Sequence, residues 1–158
     1  MHADLFDCHT HTEFSSCAED VTLAGYVERA RAGARFAITD HSAQIYYPPD
    51  HRWGFWSEEA YELFAAGEES GRERIAHYLA TCRAAQCGHM LVGAELDVLP
   101  DGRMVFPADL LGTLDVVVGA VHSMPTLRAE RPLEEILAEF RFQVEALAGH
   151  GMEVFVHP

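Results

Sequence analysis

The sequence predicts an α/β fold, a parallel β-sheet or βα-barrel, from two observations. Short apolar runs of strand-like composition recur along the chain, and the segments between them carry apolar residues at helical spacing. Alternation of this kind builds parallel sheets and barrels. At 158 residues and 49% apolar content the chain can form a hydrophobic core, so we interpret 1–158 as one domain. The strand-like runs are 5–11, 36–41, 90–95, 116–122 and 154–157.

Capping residues and glycines predict where the first helices begin and end. Thr22 is expected to cap a helix that stops at Gly33, before the second strand. A longer helical region is expected over 57–87, with interruptions near Gly67 and Gly71. Both helical regions connect consecutive strand-like runs, as a βα architecture requires.

The second half of the chain carries a tight turn and a further helix. The segment 100–102, Pro-Asp-Gly, predicts a turn between two short strands. Pro132 marks the start of the helix, which is expected to end before Gly149. The apolar residues that follow the helical period are Leu133, Ile136, Leu137, Phe140, Val144 and Leu147.

Charge and hydropathy limit the classes of partner. The chain has 25 acidic and 11 basic residues, a formal net charge of −14, whereas binding to bulk nucleic acid requires a basic face. Bulk nucleic acid is therefore disfavoured, although a cationic metal pocket can still attract one phosphate. No apolar run reaches the roughly 18 residues of a membrane span, and the acidic start 1–4 lacks a basic, apolar leader. We expect no membrane partner and a soluble cytoplasmic protein.

The four cysteines do not predict a disulfide framework. No two of them form a C-x-x-C pair, and no secretion signal is visible in the sequence. Cys8, Cys82 and Cys87 are interpreted as small core residues. Cys17 is treated separately below because it follows two histidines.

Histidines and one glutamate stand at or just past the carboxyl ends of the strand-like runs. These ends meet on one rim in a parallel barrel, where the active sites of such folds lie. Imidazoles and a carboxylate gathered there predict a cluster of divalent metal ions. The residues concerned are His9, His11, His41, Glu95, His122 and His157.

Local spacing suggests roles for three acidic residues near these histidines. Asp7, His9 and His11 project to the same side of an extended segment, so Asp7 is a candidate to orient an imidazole. Asp40 is next to His41 in the strand, so the two side chains point to opposite sides. We therefore expect Asp40 to support the metal site without binding an ion, or to form a structural salt bridge. Glu95 lies in an otherwise apolar run and needs a nearby cation, so we assign it to bridging two metals.

The loop 45–56 is rich in aromatic residues and follows the strand that carries His41. A loop of this length in a compact domain is more often functional than idle, although it can also serve only to seal the barrel rim. Arg52 in this loop, and Arg128 or Arg131 after His122, are candidates for binding phosphate. Each can equally be a solvated loop arginine.

The ordered motifs resemble those of the PHP superfamily, named for polymerase and histidinol phosphatase. Segment 7–12 resembles its first motif, H-x-H followed by Ser or Thr, and 39–41 resembles the second. Segment 93–95 resembles the glutamate motif, and His122 and 157–158 resemble the motifs that follow. The resemblance spans the whole chain. It implies an α/β fold of the distorted TIM-like (βα)7 barrel type and a centre of two or three zinc, manganese or iron ions that hydrolyses phosphoesters.

The same resemblance implies a ligand set. One ion would be held by His9, His11 and Glu95, and a second by Glu95, His122 and His157. A third would be held by His41 with Cys17, where many relatives carry histidine. Glu19 and Asp20 are nearby alternatives to Cys17. Glu95 would bridge the ions and help to activate a water molecule.

The chain departs from the family pattern at its end. About five strands are counted, and the late Asp-x-His motif of the relatives has no counterpart here. We therefore expect a barrel truncated after about five strands, with the C-terminal strands missing. Either the chain is a fragment, or another chain supplies the missing strands, or the metal centre is incomplete. The open edge of the sheet would be available to a homo-oligomer partner or a complementing chain.

Three functional hypotheses follow. The first is a phosphomonoesterase of the histidinol-phosphatase kind that acts on a small-molecule phosphoester through a metal-activated water. The second is a nuclease or nucleotide phosphodiesterase of the same superfamily. The third is a catalytically incomplete metal-binding domain. Metal loading and the hydrolysis of monoester and diester substrates would distinguish them.

Overall fold

A computed structural model describes residues 6–52, 60–122, 124 and 130–157, with only the backbone described at 60 and 61. It contains one five-stranded sheet of strand order β1-β2-β3-β4-β5, and every neighbouring pair is parallel. The five strand-like runs of the sequence are confirmed as these strands. Their bounds are β1 Asp7–Thr10, β2 Arg35–Ile38, β3 His89–Leu96, β4 Val116–Gly119 and β5 Val154–Phe155.

Helices connect consecutive strands, which gives the mixed α/β architecture that the alternation predicts. Among the described helices, none is both long and apolar enough to cross a bilayer. Short 3-10 helices cover Pro49–His51 and Ala108–Thr113. The α-helices are α1 Leu23–Arg31, α2 Ser42–Tyr46, α3 Ala60–Ala66, α4 Glu68–Ala85 and α5 Leu133–Gly149.

The sheet is curled, so its first and last strands approach each other. Four strand spacings of about 4.8 Å would separate β1 from β5 by roughly 19 Å in a flat sheet. Yet the rings of His9 on β1 and His157 just past β5 have their centroids 5.4 Å apart. The result is a curled half-barrel of five strands, compatible with part of a TIM-like fold. The exact (βα)7 barrel remains an expectation.

The predicted capping of α1 is confirmed. The Thr22 side chain accepts a hydrogen bond from the N–H of Gly25, 3.1 Å away, and thereby satisfies one of the free donors at the helix start. After α1, Gly33 adopts φ 95°, a left-handed conformation that turns the chain toward β2.

The predicted interruption at Gly71 is wrong. The break between α3 and α4 lies at Gly67, and Gly71 is inside α4. A Cβ at position 71 would lie 2.5 Å from the ring of Tyr46, which is buried, stacks on Phe64 and donates a hydrogen bond to the Phe64 carbonyl. This glycine therefore permits close packing between α4 and α2.

The predicted turn at 100–102 is present. Gly102 has φ 84°, and its N–H donates to the carbonyl of Leu99, 2.8 Å away. The flanking segments pair through one antiparallel bridge, between Val98 and Met104, rather than as longer strands.

The helix predicted from residue 132 is present as α5, and its apolar residues are only partly buried. Leu147 is fully buried, but Leu133 and Leu137 are 68% and 54% exposed, and the polar Gln143 is buried instead. Phe155 on the edge strand β5 is also exposed. The apolar side of α5 is therefore uncovered near its start, on the same flank as the open sheet edge.

The close contact between Gly71 and Tyr46 gives a stability prediction. Gly71→Ala should lower the free energy of unfolding by about 1–3 kcal/mol, because a hydrogen-bonded ring must move to make room for the methyl group. Urea unfolding measures the difference. Gly149→Ala is the control, since nothing lies within 4 Å of a Cβ there and alanine favours the helix. Equal stability of the two variants would contradict the packing argument.

Candidate metal centre

The six residues predicted to converge lie at one rim of the sheet. His9 is on β1 and His11 follows it, while His41 follows β2. Glu95 is on β3 and pairs with His41 in a parallel bridge, which sets the two residues side by side. His122 and His157 follow β4 and β5.

Glu95 lies at the centre of this cluster and is fully buried. Its Oε2 is 2.9 Å from Nδ1 of His41, 3.0 Å from Nε2 of His11 and 3.3 Å from Nε2 of His9. Its Oε1 is 3.4 Å from Nε2 of both His122 and His157. The two carboxylate oxygens thus face two different groups of imidazoles.

These contacts are not ordinary hydrogen bonds. Within the described part of the chain, neither oxygen of Glu95 accepts a hydrogen bond of normal geometry. A buried carboxylate left in this state costs several kcal/mol unless a cation compensates it. Donor atoms about 2.1 Å from one ion lie roughly 3.0 Å apart at octahedral angles and roughly 3.4 Å apart at tetrahedral angles, which matches the contacts around Glu95. The residues present therefore fit divalent metal ions.

The titration of the cluster follows from its burial and its charges. Burial alone would raise the pKa of Glu95, but close contacts with His11 and His41 and the charge of His122 outweigh it and lower that pKa far below its usual range. Burial, with the neighbouring charge of His11, lowers the pKa of His9 against the opposing effect of Glu95. The carboxylate is thus held ionised while His9 favours its neutral form, the forms that metal ligands need.

Cys17 lies beside the cluster, next to His11. Its Sγ is 3.0 Å from Nδ1 of His11, and Cys17, His11 and His41 form a group whose ligand atoms lie within 4.8 Å of one another. Burial raises the pKa of the Cys17 thiol, and the charges of Asp40 and Glu95 raise it further, so in the absence of a cation the sulfur keeps its proton. A third cation position, as the sequence predicts, would be bounded by these three residues.

Asp40 accepts three hydrogen bonds from the loop after β1, and its supporting role toward the site stays a prediction. Its Oδ1 accepts hydrogen bonds from the N–H of Thr12 and from Oγ of Ser15, both at 2.7 Å, and its Oδ2 accepts from Oγ of Thr12 at 2.8 Å. Ser15 Oγ in turn accepts from the N–H of His41, 3.1 Å away. Burial raises the pKa of Asp40, although these donors act against the shift. The carboxyl group ties the loop after β1 to the end of β2.

The remaining predicted site residues lie outside the cluster. Asp7 is exposed and accepts a hydrogen bond from the backbone N–H of His9, 3.1 Å away, rather than from an imidazole. Arg52 lines a groove of about 350 Å³ with Arg74 and His77, and none of the clustered residues lines that groove. The role of Arg52 in binding phosphate stays a prediction. Arg128 lies outside the described residues.

Arg131, the alternative to Arg128, forms an ion pair with Glu139 on α5. Its positive charge is therefore compensated locally. This contact favours a structural role for Arg131 over phosphate binding.

Asp97 also lies at the cluster, although it was not among the residues predicted from the sequence. It is almost fully buried, and its Oδ1 lies 2.6 Å from Nδ1 of His122. With His41 and His122 it forms a further group whose ligand atoms lie within 4.8 Å of one another. The available signal was its position two residues after Glu95, because residues two apart in a strand face the same side.

Comparison with known proteins gives one distant likeness. No family model matches the chain. Over 152 residues, 96% of this chain, the sequence is 24% identical to the DNA polymerase/3'-5' exonuclease PolX of Bacillus subtilis (strain 168). The matched region is 23% of that protein, so the chain spans about a quarter of the length of this curated relative. The resemblance to the PHP superfamily therefore rests on the ordered motifs of the sequence and stays an interpretation.

The hydrogen bonds of Asp40 predict a large effect of its removal. Asp40→Ala leaves two hydroxyl groups and one backbone N–H without their acceptor, so we expect the free energy of unfolding to fall by roughly 3 kcal/mol or more. Urea unfolding of the metal-free protein measures the loss. The matched control is Asp7→Ala, an exposed residue whose removal should cost about 0.5 kcal/mol or less. A similar cost for the two variants would refute the anchoring role.

Proposed function

We propose that this chain is a metal-dependent phosphoesterase whose ions are held around Glu95. The observation that carries the proposal is the buried carboxylate with five imidazole nitrogens within 3.4 Å of its two oxygens. Carboxylate with several histidines is a donor set suited to zinc, manganese or iron.

The two oxygens of Glu95 support a bridging role. Oε2 faces His9, His11 and His41, and Oε1 faces His122 and His157. One carboxylate thereby serves two groups of histidines, as the assignment of two ions with a shared ligand requires. The Cys17 group adds a third position, which we include in the proposal on the strength of its contact with His11.

The chemistry of such a centre suits phosphoester hydrolysis. Bound divalent ions make hydroxide available from water near neutral pH and stabilise negative charge on phosphoryl oxygens. The chain supplies the fixed geometry: Asp40 anchors the loop after β1, and the parallel pairing of β2 and β3 sets His41 beside Glu95. His157, whose side chain is 51% exposed, marks the side from which a substrate reaches the cluster.

Two substrate classes are supported by different observations. The distant likeness to a protein named as a 3'-5' exonuclease favours a phosphodiester bond in a nucleotide or at the end of a short nucleic-acid strand. The net charge of −14 opposes long nucleic-acid polymers and leaves a small phosphomonoester open. We place the diester of a nucleotide or short strand first, because the charge argument bears only on long polymers. A histidinol-phosphatase-like specificity is the second candidate.

Turnover of paired aryl phosphates separates these candidates. The metal-loaded protein should hydrolyse bis(4-nitrophenyl) phosphate faster than 4-nitrophenyl phosphate and should shorten a 5'-labelled single-stranded oligonucleotide from its 3' end. Faster turnover of the monoester, with the oligonucleotide intact, would favour the phosphomonoesterase. Turnover of neither substrate by protein that retains its ions would reject hydrolysis and leave a metal-binding domain.

Glu95 gives the direct test of the centre. Glu95→Gln should lower kcat/KM by roughly 100-fold or more and reduce the bound metal, because the amide removes the negative charge that the ions share. The fold of the metal-free variant should change little, since the amide has the same shape and removes a buried charge. Glu28→Gln, an exposed change on α1, is the control. Full activity and metal content in Glu95→Gln would contradict the bridging role.

A further inference from the structure

Asp97 makes a short contact with one histidine of the cluster. The 2.6 Å between its Oδ1 and Nδ1 of His122 is the length of a charge-assisted hydrogen bond. Two donor atoms on one ion would lie roughly 3.0 Å apart or more, given metal–ligand distances of about 2.1 Å. The distance therefore favours a hydrogen bond between the two residues over their binding a common ion.

This hydrogen bond sets the tautomer of His122. Both ring nitrogens face a carboxylate, which can only accept, but the contact with Asp97 is much the shorter, at 2.6 Å, and the contact with Glu95 lacks normal hydrogen-bond geometry. We therefore expect the neutral ring to carry its proton on Nδ1. The other nitrogen, Nε2, then presents a lone pair toward Oε1 of Glu95, 3.4 Å away. That is the orientation in which an imidazole can bind a cation shared with Glu95.

The carboxylate of Asp97 is itself held in place. Its Oδ2 accepts hydrogen bonds from the N–H of Ala43 at 3.0 Å and from Oγ of Ser42 at 3.4 Å. The backbone N–H of Asp97 donates back to Oγ of Ser42, 2.9 Å away. Ser42 directly follows His41, so these hydrogen bonds connect the end of β3 to the segment that carries His41. The contact with Nδ1 of His122 connects it to the segment after β4.

We propose that Asp97 is a positioning residue: it holds His122 as the Nδ1–H tautomer, with Nε2 available to a metal ion beside Glu95. This inference rests on the proposed function, since it assigns Asp97 a task for the same centre. It adds a residue that contacts neither substrate nor ion and acts only through His122.

The amide variant gives the sharpest test because it reverses the direction of the hydrogen bond. In Asp97→Asn the amide oxygen is needed by the N–H of Ala43, so the NH₂ group faces Nδ1 of His122 and donates to it. The ring should then carry its proton on Nε2, where it blocks metal binding. All groups keep partners, so the variant should remain folded.

Two measurements follow, on wild type, Asp97→Asn and Asp97→Ala, with Asp101→Asn as an exposed control. Long-range ¹H–¹⁵N NMR of the metal-free protein, at a pH where the ring is neutral, reports the tautomer of His122. We expect Nδ1–H in wild type and in the control, Nε2–H in Asp97→Asn and a mixture in Asp97→Ala. Titration with Zn²⁺ should show an affinity roughly 10- to 100-fold lower in both Asp97 variants, and circular dichroism checks their folding.

The tautomer measurement needs no metal, so it separates this inference from the proposed function. Wild type that shows the expected tautomers but binds no Zn²⁺ would overturn the metal centre and, with it, the task assigned to Asp97. An Nε2–H tautomer in wild type, or an unchanged tautomer in Asp97→Asn, would overturn the positioning role while leaving the metal centre intact. If the Asp97 variants lost one whole ion while the tautomer of His122 stayed unchanged, Asp97 would be a metal ligand. That result would also overturn the positioning role.

Discussion

The burial of the Glu95 carboxylate among imidazoles is the constraint on which the rest of the site depends. Glu95 is fully enclosed at the carboxyl end of β3, and its oxygens receive no hydrogen bond of normal geometry from the described residues. Desolvating a carboxylate is expensive, and imidazole contacts at 2.9–3.4 Å without normal hydrogen-bond geometry compensate it only in part. In the proposed centre a shared cation would remove this penalty and at the same time supply the reactive group. The feature that costs stability without metal is thus the one that would give the proposed site its chemistry.

The curled sheet makes this convergence possible. Side chains from β1 and from just beyond β5 meet although four strand spacings separate the strands, because the sheet closes partly on itself. The hydrogen bonds of Asp40 and Asp97 then fix the segments that leave β1, β2 and β3. Buried polar contacts therefore support the cluster where β1, β2 and β3 end. Toward β5, by contrast, His157 and the start of α5 are exposed. A homo-oligomer partner or a complementing chain at that open edge remains a proposal.

Much of the fold and the membership of the cluster could be predicted from sequence because both depend on local rules. Strand-like runs, the cap at Thr22 and the convergence of carboxyl ends follow from spacing and from parallel topology. The misses depend on contacts between distant segments. Gly71 accommodates the ring of Tyr46, and Asp97 matters only because His122 arrives beside it from another strand. The direction of the Arg52 side chain, which lines a groove with Arg74, could not be predicted either, because packing and not sequence distance sets it.

The most direct test of the central claim is to locate ions around Glu95 in crystals of protein grown with trace zinc, manganese and iron. Anomalous difference maps at the three absorption edges identify each ion and its position. A metal centre around Glu95 should give peaks next to both of its oxygens, one within bonding distance of His9 and His11 and another near His122 and His157. Maps without a peak in the cluster, from protein whose elemental analysis also finds no bound metal, would contradict it.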